Sequence, residues 1–189
     1  FRKALNFNNL GLDKRGRYFV MGLLGLFKGK EQAAPAAIQF PAALGAAAKG
    51  EYVPMEKIPD EMFSQGIMGV CCGVESSEGK VYAPIDSKVS QLTDTLHAIG
   101  LEAGGMEILI HVGVDTVDMN GDGFSNTVKV GQTVKKGDLL LTMDLDKIHA
   151  AGHAATVIMA VTNSDDFSSV DETGSGSVQP GDGVLLVVK

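Results

Sequence analysis

The sequence predicts an all-β fold, an antiparallel β-sandwich or flattened β-barrel with short helical turns. Three observations carry this. Apolar stretches are short and recur through residues 50–189, separated by clusters of Gly, Pro, Asp, Asn and Ser. The stretch Met106–Val114 alternates at period two, with Met106, Ile108, Ile110, Val112 and Val114 on one face and Leu109, His111 and Gly113 on the other. Helical signals are confined to about two turns in Asp146–Ala155 and about one in Pro59–Phe63.

Taken in order, residues 1–49 form a basic N-terminal extension and an Ala/Pro-rich linker. Phe1–Lys30 holds Arg2, Lys3, Lys14, Arg15, Arg17, Lys28 and Lys30 against Asp13 alone. Its apolar run, Tyr18–Phe27, is too short for a bilayer span, which needs about 20 residues. Lys28, Lys30 and Glu31 also separate it from any signal-peptide cleavage site. Two readings of residues 21–30 stand side by side: a short helix with Leu23, Leu24, Leu26 and Phe27 as its greasy side, lying on a membrane surface, or a disordered tail. Glu31–Lys49, with Pro35 and Pro41, reads as linker running into the first strand.

From Gly50 the expected strands are Glu51–Val53, Gly66–Val74, Lys80–Ile85, Lys88–Leu92, Ala98–Leu101, Glu107–Val114, Leu139–Met143, Ala155–Val161 and Val184–Val188. Val130–Leu140 and Val178–Val184 look alike, each pairing a strand with a tight Gly-containing turn of the kind hairpins use. The net charge of −7, with its basic residues concentrated at the N-terminus, leaves an acidic body. That argues against nucleic acid and for a basic protein partner. The two cysteines, Cys71 and Cys72, are adjacent and so poorly placed to bridge, which points to buried reduced thiols and a cytoplasmic protein.

His111 is the first candidate for chemistry, because it sits near a strand end beside Asp115 and turns away from the main apolar row. His97 is the second. On a strand Thr95 and His97 share a face, and the hydroxyl can hold the imidazole in one orientation and tautomer. A lone strand histidine is more often a satisfied polar residue than a catalyst, so the pair gains meaning only if the two rings meet.

The runs Val81–Asp86, Thr95–Ala98, Ile110–Val117, Gly121–Phe124, Val130–Leu139 and Asp144–Asp146 resemble the glucose-type IIA domain of the bacterial phosphoenolpyruvate-dependent sugar phosphotransferase system over about residues 50–189. Met21–Phe27 resembles the amphipathic N-terminal segment of free-standing members. The resemblance implies a cytoplasmic phosphocarrier at the inner face of the membrane, with no cofactor. Its His111 would take a phosphoryl group on Nε2 from the phosphocarrier HPr and pass it to a IIB domain. It further implies that His97 stabilises the phosphate, that Thr95 orients His97, and that the Gly113 carbonyl accepts the His111 Nδ1 proton. Asp60 and Asp115 would meet basic residues of HPr, while Phe63, Ile99, Leu109 and Val112 would form the apolar docking face. No metal ion is needed when donor and acceptor are both phosphohistidines of similar energy.

Two other readings compete. Val81–Lys147 also resembles a lipoyl or biotinyl carrier domain modified at Lys147, which assigns nothing to either histidine. A zinc enzyme could use His97, His111 and Asp115; the two histidines could also bind zinc incidentally, and His149 with His153, four apart on the expected helix, could clamp a metal.

Overall fold

The structure, a computed structural model, describes residues 37–189 and two short strands, β1 (Leu10–Leu12) and β2 (Tyr18–Val20), which pair antiparallel. The expected membrane-surface helix near residues 21–30 lies outside the described residues. The chain divides into two compact units, residues 1–32 and residues 33–189. No helix among the described residues is long and apolar enough to cross a membrane.

The larger unit runs through β3 (Ala42–Gly45), β4 (Gly50–Pro54), α1 (Glu61–Ser64), β5 (Val70–Ser76), β6 (Lys80–Tyr82), β7 (Ser87–Leu92), β8 (Ala98–Ala103) and β9 (Met106–Val112). It continues through β10 (Phe124–Asn126), β11 (Thr133–Val134), β12 (Leu139–Met143), α2 (Leu145–Ala150), β13 (Thr156–Val161), β14 (Ser169–Glu172), β15 (Ser177–Val178) and β16 (Gly183–Val188). One eight-stranded sheet has the order β11-β7-β8-β9-β13-β5-β4-β15, and two three-stranded sheets have the orders β10-β12-β6 and β14-β16-β3. Each pairing is antiparallel, as the alternating pattern requires.

The large sheet has two unequal faces. Its inner face meets the smaller sheets in one core that includes Leu44, Val81, Ile108, Ile110, Leu140, Leu141, Val157, Met159 and Leu185. Its outer face carries a small second cluster of Ile58, Phe63, Cys71, Ile158 and Ala160, with Leu109 and Val114 packed at its margin. The adjacent cysteines divide between these clusters, Cys72 inward and Cys71 outward, and both are free and buried.

Three expectations are corrected. The Ala/Pro-rich linker does not reach residue 49: Ala42–Gly45 is strand β3, paired with β16, and Leu44 is fully buried. Alanine is small and poor in strand preference, so a strand built from it hides its alternation. The two look-alike stretches do not make hairpins. In each a tight turn (Lys135–Asp138 and Gln179–Asp182) bends the chain, and an Asp side chain accepts from the turn's first N–H at 2.8 Å. The turns deliver β11 and β15 of the large sheet to β12 and β16 of the smaller ones, so they fold the sandwich rather than close a ribbon. Finally, α2 ends at Ala150, which leaves His149 exposed on the helix and His153 beyond it.

Because Leu44 belongs to the core, Leu44→Ala lowers unfolding free energy by about 2–5 kcal/mol. Urea denaturation measures this, and an unchanged midpoint would return residues 42–45 to a linker.

Candidate functional site

The site begins with the pleat of β9. His111 stands on the outer face between Ala98 of β8 and Ile158 of β13, its directly opposed neighbours. Ala98 is small, which leaves room beside the imidazole. His97 precedes β8, and its carbonyl accepts from the Val112 N–H at 2.8 Å. The two imidazoles then meet edge to face, with ring centroids 4.9 Å apart and planes at 77°. Phe63 flanks His111 on another side, 5.3 Å between centroids.

Thr95 Oγ1 lies 2.6 Å from His97 Nδ1, but strand alternation is not the cause. Thr95 is in a turn, and Leu96 between them takes a left-handed conformation at φ 59°. Thr93 closes that turn: its carbonyl accepts from Leu96 N at 3.0 Å and its hydroxyl from Ala98 N at 3.1 Å. Bulky residues rarely adopt such backbone, and strain of this kind gathers where a side chain must be aimed.

Phe63 is held by a cap. Asp60 precedes α1, and its Oδ1 accepts from Met62 N at 2.8 Å and Phe63 N at 3.3 Å, satisfying donors that a helix start leaves open. The Phe63 carbonyl in turn accepts from Cys71 Sγ. Asp60 is thus a structural cap as well as a charge near His111.

Gly113 ends β9 at φ +77°, and its N–H donates to the Thr156 carbonyl at 2.9 Å. A Cβ there would stand 2.3 Å from Thr116 Cγ2 and 2.9 Å from the Ala154 carbonyl oxygen, so the position admits glycine alone. The expected bond from His111 Nδ1 to the Gly113 carbonyl is not closed. Nδ1 is buried and has no hydrogen-bond partner, although the Gly113 backbone is near enough to favour ring protonation as an acceptor does. Hydrogen bonds of this kind often tighten only on reaction.

Burial dominates the electrostatics. It pulls the His111 pKa below the usual 6.5 and His97 lowers it further, against the opposing pull of the Gly113 backbone, Asp60 and Asp115. His97 is likewise lowered by burial. Both rings are therefore neutral at pH 7. Burial also raises Cys71 to about 12, aided by Glu172 and Asp60, so its thiol is inert.

Not every expected residue reaches this surface. Ile99 and Val112 have 0% exposure and face the inner core, because with His111 outward residue 112 must point inward, and Ile99 sits opposite inward Ile110. Of the apolar set, Leu109 and Phe63 share the outer face with His111. Met62 and Val117, each 47% exposed, lie on α1 and on the turn after Gly113, and sequence reasoning passed over them. The signal was present for Met62, since neighbours in a one-turn helix cannot both face inward. Thr116 was also missed: it is fully buried, and its hydroxyl donates to the Val112 carbonyl.

Lys147 lies on α2, where its ammonium pairs with Asp122. Among the described residues, no group of three or more His, Cys, Asp or Glu converges as metal ligands, so His97, His111 and Asp115 do not assemble the three-ligand zinc centre.

Comparison with known proteins puts this chain among components of sugar phosphotransferase systems. Residues 42–167 match the family model of the phosphoenolpyruvate-dependent sugar phosphotransferase system, EIIA 1, and the chain belongs to that family. It is 44% identical over 130 residues, 68% of its length, to the beta-glucoside-specific EIIBCA component of Dickeya chrysanthemi, and covers 21% of that protein. It is 48% identical over 125 residues, 65% of its length, to the glucosamine-specific EIICBA component of Bacillus subtilis (strain 168), and covers 20% of it. The chain thus spans about a fifth of the length of these curated relatives. Among solved structures it resembles glucose permease IIA from Mycoplasma capricolum, with a TM-score of 0.70 and 28% identity over 77% of this chain and 94% of that one.

The two depressed histidines set a pH response. NMR titration should find both ring midpoints below 6.5. Below that pH the unfolded chain binds more protons than the folded one, so stability falls as pH drops through about 6.5. A His111 midpoint above 6.5 would contradict the burial argument.

Proposed function

We propose that this domain is a phosphocarrier that accepts a phosphoryl group on Nε2 of His111 from phosphohistidine of HPr and passes it to a IIB domain during sugar uptake. The observation that carries the reading is the edge-to-face pair of neutral imidazoles on one outer face of the sheet. Family membership supplies the class of chemistry, phosphoryl transfer within a sugar phosphotransferase system.

Nδ1 of His111 is sealed from solvent, which leaves Nε2 as the nitrogen a donor can approach. The depressed pKa keeps its lone pair free. In the transfer, the N–P bond in HPr breaks as a new N–P bond forms at Nε2, while the proton stays on Nδ1 and the Gly113 carbonyl tightens onto it. Such a reaction asks for in-line placement and for donors on the equatorial oxygens. His97, fixed by Thr95, supplies one donor, and its gain of a proton would offset the arriving charge.

Phe63 and Leu109 form an apolar rim suited to excluding water, and Asp60 and Asp115 give it negative charge for a basic partner. The two unbridged cysteines accord with a reducing, cytoplasmic setting. The N-terminal segment would add a peripheral contact with the membrane.

The reading is tested by incubating the protein with phosphoenolpyruvate, enzyme I and HPr. One acid-labile phosphate should appear on His111, and His111→Gln should accept none. His97→Gln keeps an amide donor but cannot become cationic. It should therefore load, yet pass phosphate to IIB at least about tenfold more slowly than the wild type. Phosphate mapped to a serine or cysteine would overturn the proposal.

Docking has its own expected result. Asp115→Lys should slow transfer from HPr by several-fold at low ionic strength and by less at high salt, with the fold intact. Transfer insensitive to this change at low salt would move the docking face elsewhere.

A further inference from the structure

We propose that Thr116 is a positioning residue for His111: its hydroxyl, bonded to the Val112 carbonyl, anchors the turn that presents the Gly113 backbone to the buried Nδ1. The inference rests on the proposed role of His111 as the nucleophile. Ala98 opposite His111 is the last pair of the β8–β9 ladder on this side, so the Val112 carbonyl lies beyond the regular pairing. The Thr116 hydroxyl donates to it, folding the turn back on the strand end. That bond ties together the backbone on either side of Gly113.

The Thr116 methyl lies beside Gly113. This Cγ2 stands 2.3 Å from where a Cβ at residue 113 would lie, and the Ala154 carbonyl closes the other side at 2.9 Å. Thr116 has no solvent exposure, so its rotamer is set by this packing. The bond to Val112 therefore keeps Gly113 at φ +77°, the conformation in which the Gly113 backbone pulls on the ring. With Nδ1 protonated against Gly113, Nε2 is the free nucleophile; without that preference the neutral ring divides between tautomers, and one of them cannot attack through Nε2.

The test uses the whole chain and two variants, Thr116→Val, which keeps the bulk and loses the donor, and Thr116→Ser, which keeps the donor and loses the methyl. Ring ¹⁵N shifts of His111, recorded without HPr at a pH where the ring is neutral, report the tautomer. The wild type should hold the proton on Nδ1. Thr116→Val should shift the population toward protonated Nε2 and slow loading from phospho-HPr by about five- to tenfold, as loss of one such hydrogen bond would. Thr116→Ser should restore the wild-type ring signature, a recovery that a merely packing role would not produce.

A His111 tautomer unchanged in Thr116→Val overturns the proposal, as does a Thr116→Ser ring shifted as far as the valine variant. Should Thr116→Val not fold, the serine variant decides by the same signature. Failure of the wild type to load phosphate would instead overturn the role of His111, which the tautomer measurement does not share.

Discussion

The site depends on one geometric constraint, the absence of a side chain at the end of β9. Gly113 takes a positive φ in a space bounded by Thr116 Cγ2 and the Ala154 carbonyl, and its N–H is committed to Thr156. These contacts bring the turn bearing Asp115 and Thr116 back over the strand end. His111, two residues earlier, is fixed by β8 and β13 on either side. The His111 ring thus sits on regular sheet while the backbone groups near it come from an irregular turn. Rigid strand gives position, and the turn gives backbone groups free of ladder bonds.

A second constraint comes from the unequal faces of the large sheet. The inner face is sealed by two smaller sheets, whereas the outer cluster is thin and lies under α1. A histidine on the inner face would be buried without partners; on the fully wet side it would keep an ordinary pKa. At the margin of the outer cluster it is desolvated enough to stay neutral and remains within reach of a partner. The Asp60 cap extends this logic by fixing Phe63 against the ring.

Much of this arrangement was legible before the structure. Period-two alternation in β9 put His111 opposite the main apolar row, where it stands, and the same alternation already turned Val112 inward. Counting Val112 among docking residues set resemblance above the pleat. Ile99 needed the β8–β9 register, which no local pattern states. β3 was hidden because alanines bury little area and leave no hydrophobic signature. Thr95 was paired with His97 for a reason that did not hold: the two meet through a left-handed leucine, and nothing in Thr95-Leu96-His97 announces φ 59° at its centre. Thr116 was unreadable because its bond to the Val112 carbonyl and its closeness to Gly113 follow from how the turn folds back, which no local pattern states.

The charge balance around the rings explains why depressed histidines and nearby carboxylates can coexist in the proposed reaction. Asp60 and Asp115 favour protonation of His111, yet burial and His97 outweigh them, so both rings are neutral before any transfer. A phosphoryl group arriving on Nε2 brings negative charge of about −1.5 to −2 into that space. The burial that held His97 neutral is then opposed by attraction to the phosphoryl charge, and proton uptake by His97 becomes favourable at the moment it is useful. Had His97 been cationic from the start, it would have repelled the basic donor that the carboxylates attract. Neutrality before the proposed transfer and charge after it therefore follow from a single feature, an imidazole buried just far enough to wait for its counter-ion.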